Sequence, residues 1–339
     1  MQNILVTGGT GYIGSHTVVD LIDRGYNPVI VDNQSNSSLD VLKGIKEITQ
    51  RDVTCLSVDI CDRAALSGVF KVHQIDGVIH FAAFKSVYES VVEPLKYFHN
   101  NLTGLITLLD VMETHGVKKL IFSSSCSVYG NVKTLPVTEE TPFAKAESPY
   151  GRTKQIGEKL IEDYGKAHPD FRAINLRYFN PAGAHESNAI GELSLHPPTN
   201  LVPVITETAI GKRGSMTVFG DDYDTIDGSC IRDYIHVMDL AAAHTLALSA
   251  LDQLSETMNV EVYNVGIGKG VSVLEAIKAF EKMSGMSLNY TIGPRREGDV
   301  VAVYADTTKV MADLNWKPSR NIENIMKTAW AWEVKRSKK

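Results

Sequence analysis

Residues 5–16 read LVTGGTGYIGSH, a glycine-rich stretch that follows the first apolar run of the chain and opens a helical pattern. Its glycines fit both Gly9-x-Gly11-x-x-Gly14 and Gly8-x-x-Gly11-x-x-Gly14. Glycine allows a tight turn and a close approach of the backbone to a pyrophosphate, and the following helix N-terminus offers free N–H groups. A glycine triplet alone is weak evidence, but this one lies between a strand and a helix, as a dinucleotide fingerprint requires. The stretch therefore predicts a dinucleotide site.

The next apolar run ends in Asp32, which follows Gly14 by 18 residues. A carboxylate at this place accepts hydrogen bonds from a ribose 2′-OH and repels a 2′-phosphate. The sequence therefore favours NAD over NADP as the cofactor. Tyr12, in the glycine-rich stretch, is a candidate to cover the pyrophosphate.

Short apolar runs alternate with helical patterns through the first half of the chain. Runs that are apolar on both faces are typical of strands in a parallel sheet covered by helices. The alternation predicts an α/β fold with a doubly wound, Rossmann-like parallel sheet and right-handed crossovers. The predicted strands are 3–7, 28–32, 53–59, 77–82, 119–124 and 172–177, and the predicted helices are 12–24, 62–73, 86–115 and 149–167.

The composition changes from about residue 178. The segment NPAGAHESNAIGELSLHPPTN (180–200) is rich in Gly, Pro, Asn and His and is interpreted as a loop. A helix over 238–251, a strand over 261–265 and a helix over 272–284 are predicted beyond it. We expect a dinucleotide-binding domain over 1–178 and a smaller α/β substrate domain over 179–339, with the region near 238–265 as a candidate to return to the first domain.

Composition argues against several classes of partner. The chain has 339 residues and a net charge of 34 − 40 = −6, which disfavours a nucleic-acid or anionic-membrane surface. We find no apolar run of about 18 residues and no signal-peptide pattern. The cysteines have no CxxC or zinc spacing, so free thiols in a reducing cytoplasm and no metal site are expected. They are Cys55, Cys61, Cys126 and Cys230.

The heptapeptide SPYGRTK (148–154) carries a candidate catalytic pair. Ser148 suits an N-cap and Pro149 a first helical position, so Tyr150 and Lys154 stack at i and i+4 on one helix face. A tyrosine hydroxyl has a pKa of about 10, and a nearby ammonium or the positive nicotinamide ring favours its phenolate. Tyr150 could then accept a proton from an alcohol.

The predicted fifth strand runs into FSSSCSVYG (122–130), at a strand end that faces the ligand crevice of such a sheet. Ser125 is a candidate to orient the reacting oxygen. The residues alone do not rank it above Ser123 and Ser124.

Together these motifs resemble the extended short-chain dehydrogenase/reductase family, and within it the NAD-dependent epimerases of UDP-hexoses. The resemblance spans positions 6 to 299 and is carried by VTGGTGYIGSH, DNQSNS, FSSSCSVYG, SPYGRTK, RYFNPAGAH, RDYIHVMDLA and PRREGD. It implies interconversion of UDP-galactose and UDP-glucose through a 4-keto intermediate, with transient hydride transfer to NAD that stays bound. It also implies a homodimer, for which the helices predicted at 86–115 and 149–167 are candidates.

The resemblance also assigns site residues. It implies catalysis by Ser125, Tyr150 and Lys154. Implied contacts to NAD are Gly8, Gly11, Tyr12, Ile13, Gly14, Asp32, Asn33, Gln34, Ser35, Asn36, Ser37, Asp59, Ile60, Phe81, Ala82, Ala83, Phe84, Lys85, Asn100, Tyr150, Lys154 and Phe179. Arginines suit a diphosphate, and the expected UDP-sugar contacts are Arg232 and Arg296, joined by Ser125, Tyr150, Asn180, Asn200, Leu201, Thr217, Val218, Phe219, Asp299 and Val303.

The sequence leaves two kinds of alternative function. The first is a sugar-nucleotide 4,6-dehydratase or another extended short-chain reductase; a dehydratase would need an added acid/base pair, and related dehydratases carry Asp-Glu where this chain has Cys126 and Ser127. A non-enzymatic NAD-sensing protein would tend to lose the Tyr/Lys pair, which this chain retains. Both alternatives are therefore disfavoured.

Val303 bears on the sugar specificity. By resemblance its position walls the sugar pocket near C2, where epimerases restricted to plain hexoses tend to have tyrosine. A smaller side chain predicts that UDP-N-acetylglucosamine and UDP-N-acetylgalactosamine are also accepted. The alternative, that Val303 is only a strand residue and its neighbours close the gap, stays open.

Overall fold

A computed structural model of the protein describes residues 1–193, 197–296 and 299–338. The strands are β1 (Asn3–Thr7), β2 (Asn27–Asp32), β3 (Thr54–Ser57), β4 (Gly77–His80), β5 (Lys119–Ser123), β6 (Arg172–Tyr178), β7 (Asn180–Ala182), β8 (Met216–Phe219), β9 (Ile231–Arg232), β10 (Tyr234–His236), β11 (Val260–Val265), β12 (Val271–Ser272), β13 (Tyr290–Gly293) and β14 (Ala302–Val303). The helices are α1 (Tyr12–Asp23), α2 (Asp40–Thr49), α3 (Arg63–His73), α4 (Val87–Val92), α5 (Pro94–Phe98), α6 (Gly104–Thr114), α7 (Pro149–Ala167), α8 (Leu201–Ala209), α9 (Val237–Ala250), α10 (Val273–Ser284), α11 (Thr308–Asp313) and α12 (Ile322–Ser337).

Seven parallel strands form the central sheet, in the order β11-β6-β5-β4-β1-β2-β3. Successive residues of β1 point to opposite faces, so Ile4 and Val6 pack in one apolar core and Leu5 packs in the other. The strand order reverses beside β1, between β4 and β2, and such a switch point opens a crevice at the carboxyl ends of the strands. The predicted doubly wound, Rossmann-like fold is confirmed.

The predicted helix at 86–115 is broken. It consists of α4, α5, a π-helical turn at His99–Thr103, and α6. Pro94 lacks an N–H group and disfavours a helical conformation in the residue before it, and Glu93 accordingly has φ −123° and ψ 60°. The sequence analysis also missed α2, although its apolar residues Val41, Leu42, Ile45 and Ile48 follow a helical period.

The second half of the chain contributes to the central sheet and also builds smaller ones. Strand β11 pairs with β6 at the sheet edge, and α9 packs on α1. The smaller sheets are β12-β9-β14, β13-β8 and β10-β7. The loop expected over 180–200 begins with the short strand β7, a correction that follows from its pairing with β10, and Ser194, Leu195 and His196 lie outside the described residues.

None of the helices within the described ranges is long and apolar enough to cross a bilayer.

Candidate active site

A cleft of about 1080 Å³, its open mouth included, lies at the carboxyl ends of β1, β2 and β4. Most residues expected to contact NAD line it: Gly8, Gly11, Tyr12, Ile13, Gly14, Asp32, Asn33, Ser35, Asn36, Ser37, Ile60, Phe81, Ala82, Ala83, Phe84, Lys85, Asn100, Tyr150 and Lys154. Five other lining residues were not predicted from the sequence, namely Val31, Val58, Tyr178, Glu192 and Leu193. Val31 and Val58 adjoin the predicted residues Asp32 and Asp59, but Glu192 and Leu193 lie in an irregular segment without a local signal.

Three of the expected NAD contacts lie outside the lining of this cleft. Gln34 folds back so that its amide donates to the backbone oxygen of Asp32. Asp59 accepts from the Asn33 amide at 2.9 Å and from the Cys61 N–H at 2.8 Å. Phe179 is buried in a small apolar cluster that also contains Val303.

The glycine-rich turn leaves no room for side chains. A Cβ at Gly14 would lie 2.3 Å from the carbonyl oxygen of Gly8, and a Cβ at Gly8, which has φ +71°, would lie 2.8 Å from the Ala82 nitrogen. Helix α1 begins after Gly11 without a side-chain cap and without an acidic residue in its first turn. Its N–H groups therefore face the cleft with a positive dipole end, which suits the pyrophosphate of a dinucleotide.

Asp32 ends β2 and is buried at the rim of the turn. Its carboxylate accepts from the Thr10 N–H at 3.1 Å, the Gln34 N–H at 2.9 Å and the Ser37 hydroxyl at 3.0 Å. A carboxylate has about four acceptor positions. These bonds fix its orientation and leave acceptor capacity for a ribose hydroxyl.

The catalytic candidates come together at the inner end of the cleft. Ser148 caps α7 by accepting from the Gly151 N–H at 3.1 Å, as predicted, and the helix holds Tyr150 and Lys154 one turn apart. The Ser125 side chain lies close enough to the Tyr150 hydroxyl to favour the ionised form and so lower the tyrosine pKa. The structure thus distinguishes the three serines that the sequence left unranked, since Ser125 lies beside the tyrosine hydroxyl and the Ser124 hydroxyl donates to Glu158.

The proton affinities differ from the sequence expectation in one respect. With protein groups alone around it, burial raises the pKa of Tyr150 well above its usual value, and the nearby Ser125 hydroxyl opposes this shift only in part. The expected lowering by Lys154 is not seen, because its Nζ lies 6.0 Å from the tyrosine ring centroid and donates to the Ser123 carbonyl at 2.7 Å. Burial lowers the pKa of Lys154 itself to about 8.

Tyr12 connects the two walls of the cleft. Its hydroxyl donates to the Gly183 carbonyl at 2.7 Å, and the Lys85 Nζ lies 5.9 Å from its ring centroid. Lys85 also lies 3.6 Å from Glu192, which in turn accepts from the Asn200 amide at 3.1 Å. Residues from the first and the second half of the chain therefore contact each other at the edge of the cleft, beside the glycine-rich turn.

A second group of predicted residues gathers around Asp299. Its carboxylate accepts from Arg296 at 2.9 Å and lies 3.4 Å from an Arg232 nitrogen. Arg232 also donates to the carbonyls of Ile231 and Val300, each at 2.8 Å, and Arg296 lies over the Phe219 ring at 5.6 Å. Two guanidinium groups are thus held side by side, although Glu297 and Gly298 of the predicted motif lie outside the described residues.

The other predicted substrate residues occupy different positions. Asn180 begins β7, Asn200 precedes α8 and Leu201 opens that helix. Thr217 and Phe219 are exposed on β8, but the Val218 side chain is buried in an apolar core, so only its backbone is available to a ligand. Arg295, in contrast, forms an exposed ion pair with Asp222.

The described part of the chain holds no group of three or more His, Cys, Asp or Glu side chains that suits a metal ion.

Comparisons with known proteins agree along nearly the whole chain. The family model described as GDP-mannose 4,6 dehydratase matches residues 5–329. The UDP-glucose 4-epimerase of Erwinia amylovora is 49% identical over 98% of this chain and 98% of its own. A UDP-glucose-4-epimerase structure from Stenotrophomonas maltophila, with bound NAD and formylated UDP-arabinopyranose, has a TM-score of 0.96 and 43% identity and covers 100% of this chain and 99% of that one. A structure of the UDP-glucose 4-epimerase of Bifidobacterium longum in complex with NAD+ and UDP has a TM-score of 0.95 and 45% sequence identity, and covers 99% of this chain and 99% of that one.

Proposed function

The chain belongs to the UDP-glucose 4-epimerases, within the extended short-chain dehydrogenase/reductase family, and we propose that it interconverts UDP-galactose and UDP-glucose by inverting C4 of the hexose. The observation that carries the proposal is the meeting of Ser125, Tyr150 and Lys154 at the inner end of a dinucleotide cleft. The two guanidinium groups beside Asp299 suit the diphosphate of a sugar nucleotide.

Two features of the chain suit the binding of NAD in the cleft. The glycine-rich turn has no side chains that would occupy the space of a pyrophosphate, and α1 begins without a side-chain cap. The turn would hold the pyrophosphate and Asp32 the ribose hydroxyls. When bound, NAD supplies the carrier that takes a hydride from C4 of the sugar and returns it.

The chain's own catalytic groups move a proton at the sugar O4. Tyr150 accepts this proton as the 4-keto sugar forms and gives it back once the sugar presents its other face, while Ser125 orients the oxygen. Because burial favours the neutral tyrosine and Lys154 by itself does not lower the tyrosine pKa, proton abstraction depends on combined positive charge near the hydroxyl. The Lys154 ammonium, 6.0 Å from the ring centroid, is one part of it, and the nicotinamide ring would add the other when NAD is bound. Arg232 and Arg296 would hold the diphosphate while the sugar turns.

Cys126 and Ser127 argue against a 4,6-dehydratase, the first alternative. Elimination of water needs a carboxylic acid/base pair, and burial instead raises the pKa of the Cys126 thiol to about 12. The second alternative, a protein that only senses NAD, gives no reason for the ordered Ser125, Tyr150 and Lys154 arrangement.

One assay separates the three activities. We expect purified protein, without added NAD, to convert UDP-galactose into UDP-glucose. A 4-keto-6-deoxy product would indicate a dehydratase, and binding of NAD without turnover would indicate a sensor.

Asp32 is expected to set the cofactor preference. Replacing it with serine should weaken NAD retention by about ten- to a hundredfold, since a hydrogen bond to a charged group is worth about 1.5–3 kcal/mol, and should reduce the discrimination against NADP. The measurement is the NAD and NADP content of the protein after dialysis, and Asp40→Ser, at an exposed site on α2, is the control. Wild-type protein that carries NADP would contradict the assignment.

We also propose that the N-acetylated pair, UDP-N-acetylglucosamine and UDP-N-acetylgalactosamine, is accepted. The support is the size of Val303, which pairs with Arg232 across β14 and β9 and packs beside Phe179. If this position walls the sugar pocket near C2, as the resemblance implies, a valine would leave space there that a tyrosine would fill.

A homodimer is the oligomeric state that we propose. An apolar stripe on α4 and α5 is exposed at Tyr88 (77%), Val91 (60%), Val92 (63%) and Leu95 (80%), and exposed stripes of this kind mark association surfaces. These helices pack against α7, so the stripe lies next to the predicted helix 149–167.

Leu95→Glu should therefore yield monomers, because it places a charge in the exposed apolar stripe that would form the interface. Light scattering should show twice the 37.2 kDa chain mass for wild type and for the control Val72→Glu, an equally exposed site on α3, and the single mass for Leu95→Glu. A wild type that is monomeric at micromolar concentration would refute the proposal.

We further propose that residues 1–178, with 238–265 as a return, bind NAD and that the rest of 179–339 binds the UDP-sugar. Stable fragments from limited proteolysis that cross these boundaries would argue against the division.

We propose a cytoplasmic location, since the four cysteines are free thiols. Recovery of the protein from an oxidising compartment in cell fractionation would contradict this proposal.

A further inference from the structure

Three consecutive serines at the end of β5 each meet a different residue of one face of α7. Tyr150, Lys154 and Glu158 are spaced four apart, so they lie above one another on the helix. The Tyr150 hydroxyl lies beside the Ser125 side chain, and Lys154 donates to the backbone oxygen of Ser123. The Ser124 hydroxyl donates to Glu158. The proposed function uses Ser125, Tyr150 and Lys154 and gives Ser124 and Glu158 no role.

Glu158 is buried and accepts several hydrogen bonds, whereas most glutamates in proteins are exposed. Its side chain is 5% exposed, and Ser124 is fully buried. Arg177 of β6 donates to it through Nε at 3.1 Å to both oxygens and through a terminal nitrogen at 2.7 Å. Arg177 is itself fixed by the Tyr129 hydroxyl at 3.0 Å. A carboxylate bound in this fork has one orientation, so it fixes the position of Ser124.

We propose that Glu158 is a positioning residue for the reaction, and this inference rests on the proposed function. It ties α7 to the end of β5 through Ser124, between the two serines that meet Tyr150 and Lys154. Glu158 thereby fixes the position of the Tyr150 hydroxyl relative to the Ser125 side chain. Its negative charge also helps Lys154 keep its proton.

The charge effect has a definite direction. Burial lowers the pKa of Lys154 to about 8, and the Glu158 carboxylate opposes that shift. Among the described residues, Tyr150 on α7 and His80 on β4 are the other titratable groups that we find near Lys154. Burial lowers the pKa of His80 to about 3, so His80 is neutral at the pH of an assay. Removing the negative charge should therefore release the Lys154 proton at a lower pH. Turnover should then fall off on the alkaline side at a lower pH as well.

Two single variants separate position from charge. Ser124→Ala removes the tie but keeps the carboxylate, so kcat should fall by about ten- to a hundredfold, as expected for a misplaced catalytic group, with KM and the alkaline limb unchanged. Glu158→Gln keeps an acceptor for Ser124 but loses the charge, so the alkaline limb of the kcat profile should move to lower pH. Glu162→Gln, one turn further along α7 and 41% exposed, is the matched control and should behave as wild type.

Loss of the Glu158 charge leaves Arg177 buried without its partner, which is destabilising. The double variant Glu158→Gln/Arg177→Met removes both charges and should regain stability in a urea melt, yet it should keep the shifted alkaline limb. Wild-type kcat in Ser124→Ala, or a wild-type pH profile in either folded Glu158 variant, would overturn the proposal. Absence of turnover in the wild type itself would refute the epimerase function instead.

Discussion

Tyr150→Phe should lower the turnover of UDP-galactose by about two to four powers of ten, the usual contribution of a positioned acid or base. The substitution removes one hydroxyl and keeps the ring, so the variant should fold and retain NAD. Tyr150 is 7% exposed and its hydroxyl meets Ser125 at the inner end of the cleft. No other hydroxyl described along α7 lines that cleft, so the lost proton acceptor has no substitute on the helix.

The measurement is kcat and KM for UDP-galactose, together with the NAD content of the purified variant. Tyr164→Phe is the matched control, because it makes the same change on the same helix, where the ring packs against His168 and Phe171 away from the cleft. We expect the control to keep wild-type turnover. Near-normal turnover in Tyr150→Phe would remove Tyr150 from the mechanism.

Val303→Tyr should abolish most activity on the N-acetylated substrates and leave the plain hexoses largely unaffected. The larger ring would occupy the space expected for an N-acetyl group at C2. We expect kcat/KM for UDP-N-acetylglucosamine to fall by about a hundredfold or more, equivalent to about 2.7 kcal/mol of transition-state binding. Val303 is 7% exposed and lies among Val128, Val137 and Phe179, a cluster too closely packed for a tyrosine ring, so we expect the ring to turn toward the sugar.

The test compares kcat/KM on both substrate pairs for wild type, Val303→Tyr and Val303→Ala. Alanine leaves the space open, so this control should keep both activities. A wild type without turnover of the N-acetylated pair, or a tyrosine variant that loses both activities equally, would show that Val303 does not control access.

The sequence predicted the local parts of the site well. The glycine-rich turn and the N-cap of α7 depend on residues a few positions apart, whose backbone preferences are legible in the chain. The strands of the doubly wound sheet were found for the same reason, since each is a short apolar run. Helix α2 was not predicted, although its apolar residues follow a helical period. The single helix predicted over 86–115 was wrong, because Pro94 ends α4 and begins α5.

Contacts between segments that are distant in the sequence could not be predicted from local sequence patterns. Glu192 meets Lys85 from a segment that has no periodic pattern, and the two residues are more than a hundred positions apart. The three serines of 123–125 are alike in sequence, and only their distances to α7 show that they have different partners.

The dinucleotide turn and the one-turn spacing of Tyr150 and Lys154 are predictable from the sequence, because both features follow from local backbone geometry. The identity of the serine beside the tyrosine, the pairing of Glu158 with Arg177 and the directions of the pKa shifts depend instead on how distant segments pack. Burial raises the pKa of Tyr150 and lowers that of Lys154. Desolvation depends on every segment packed around a group, and that packing exists only once the chain has folded.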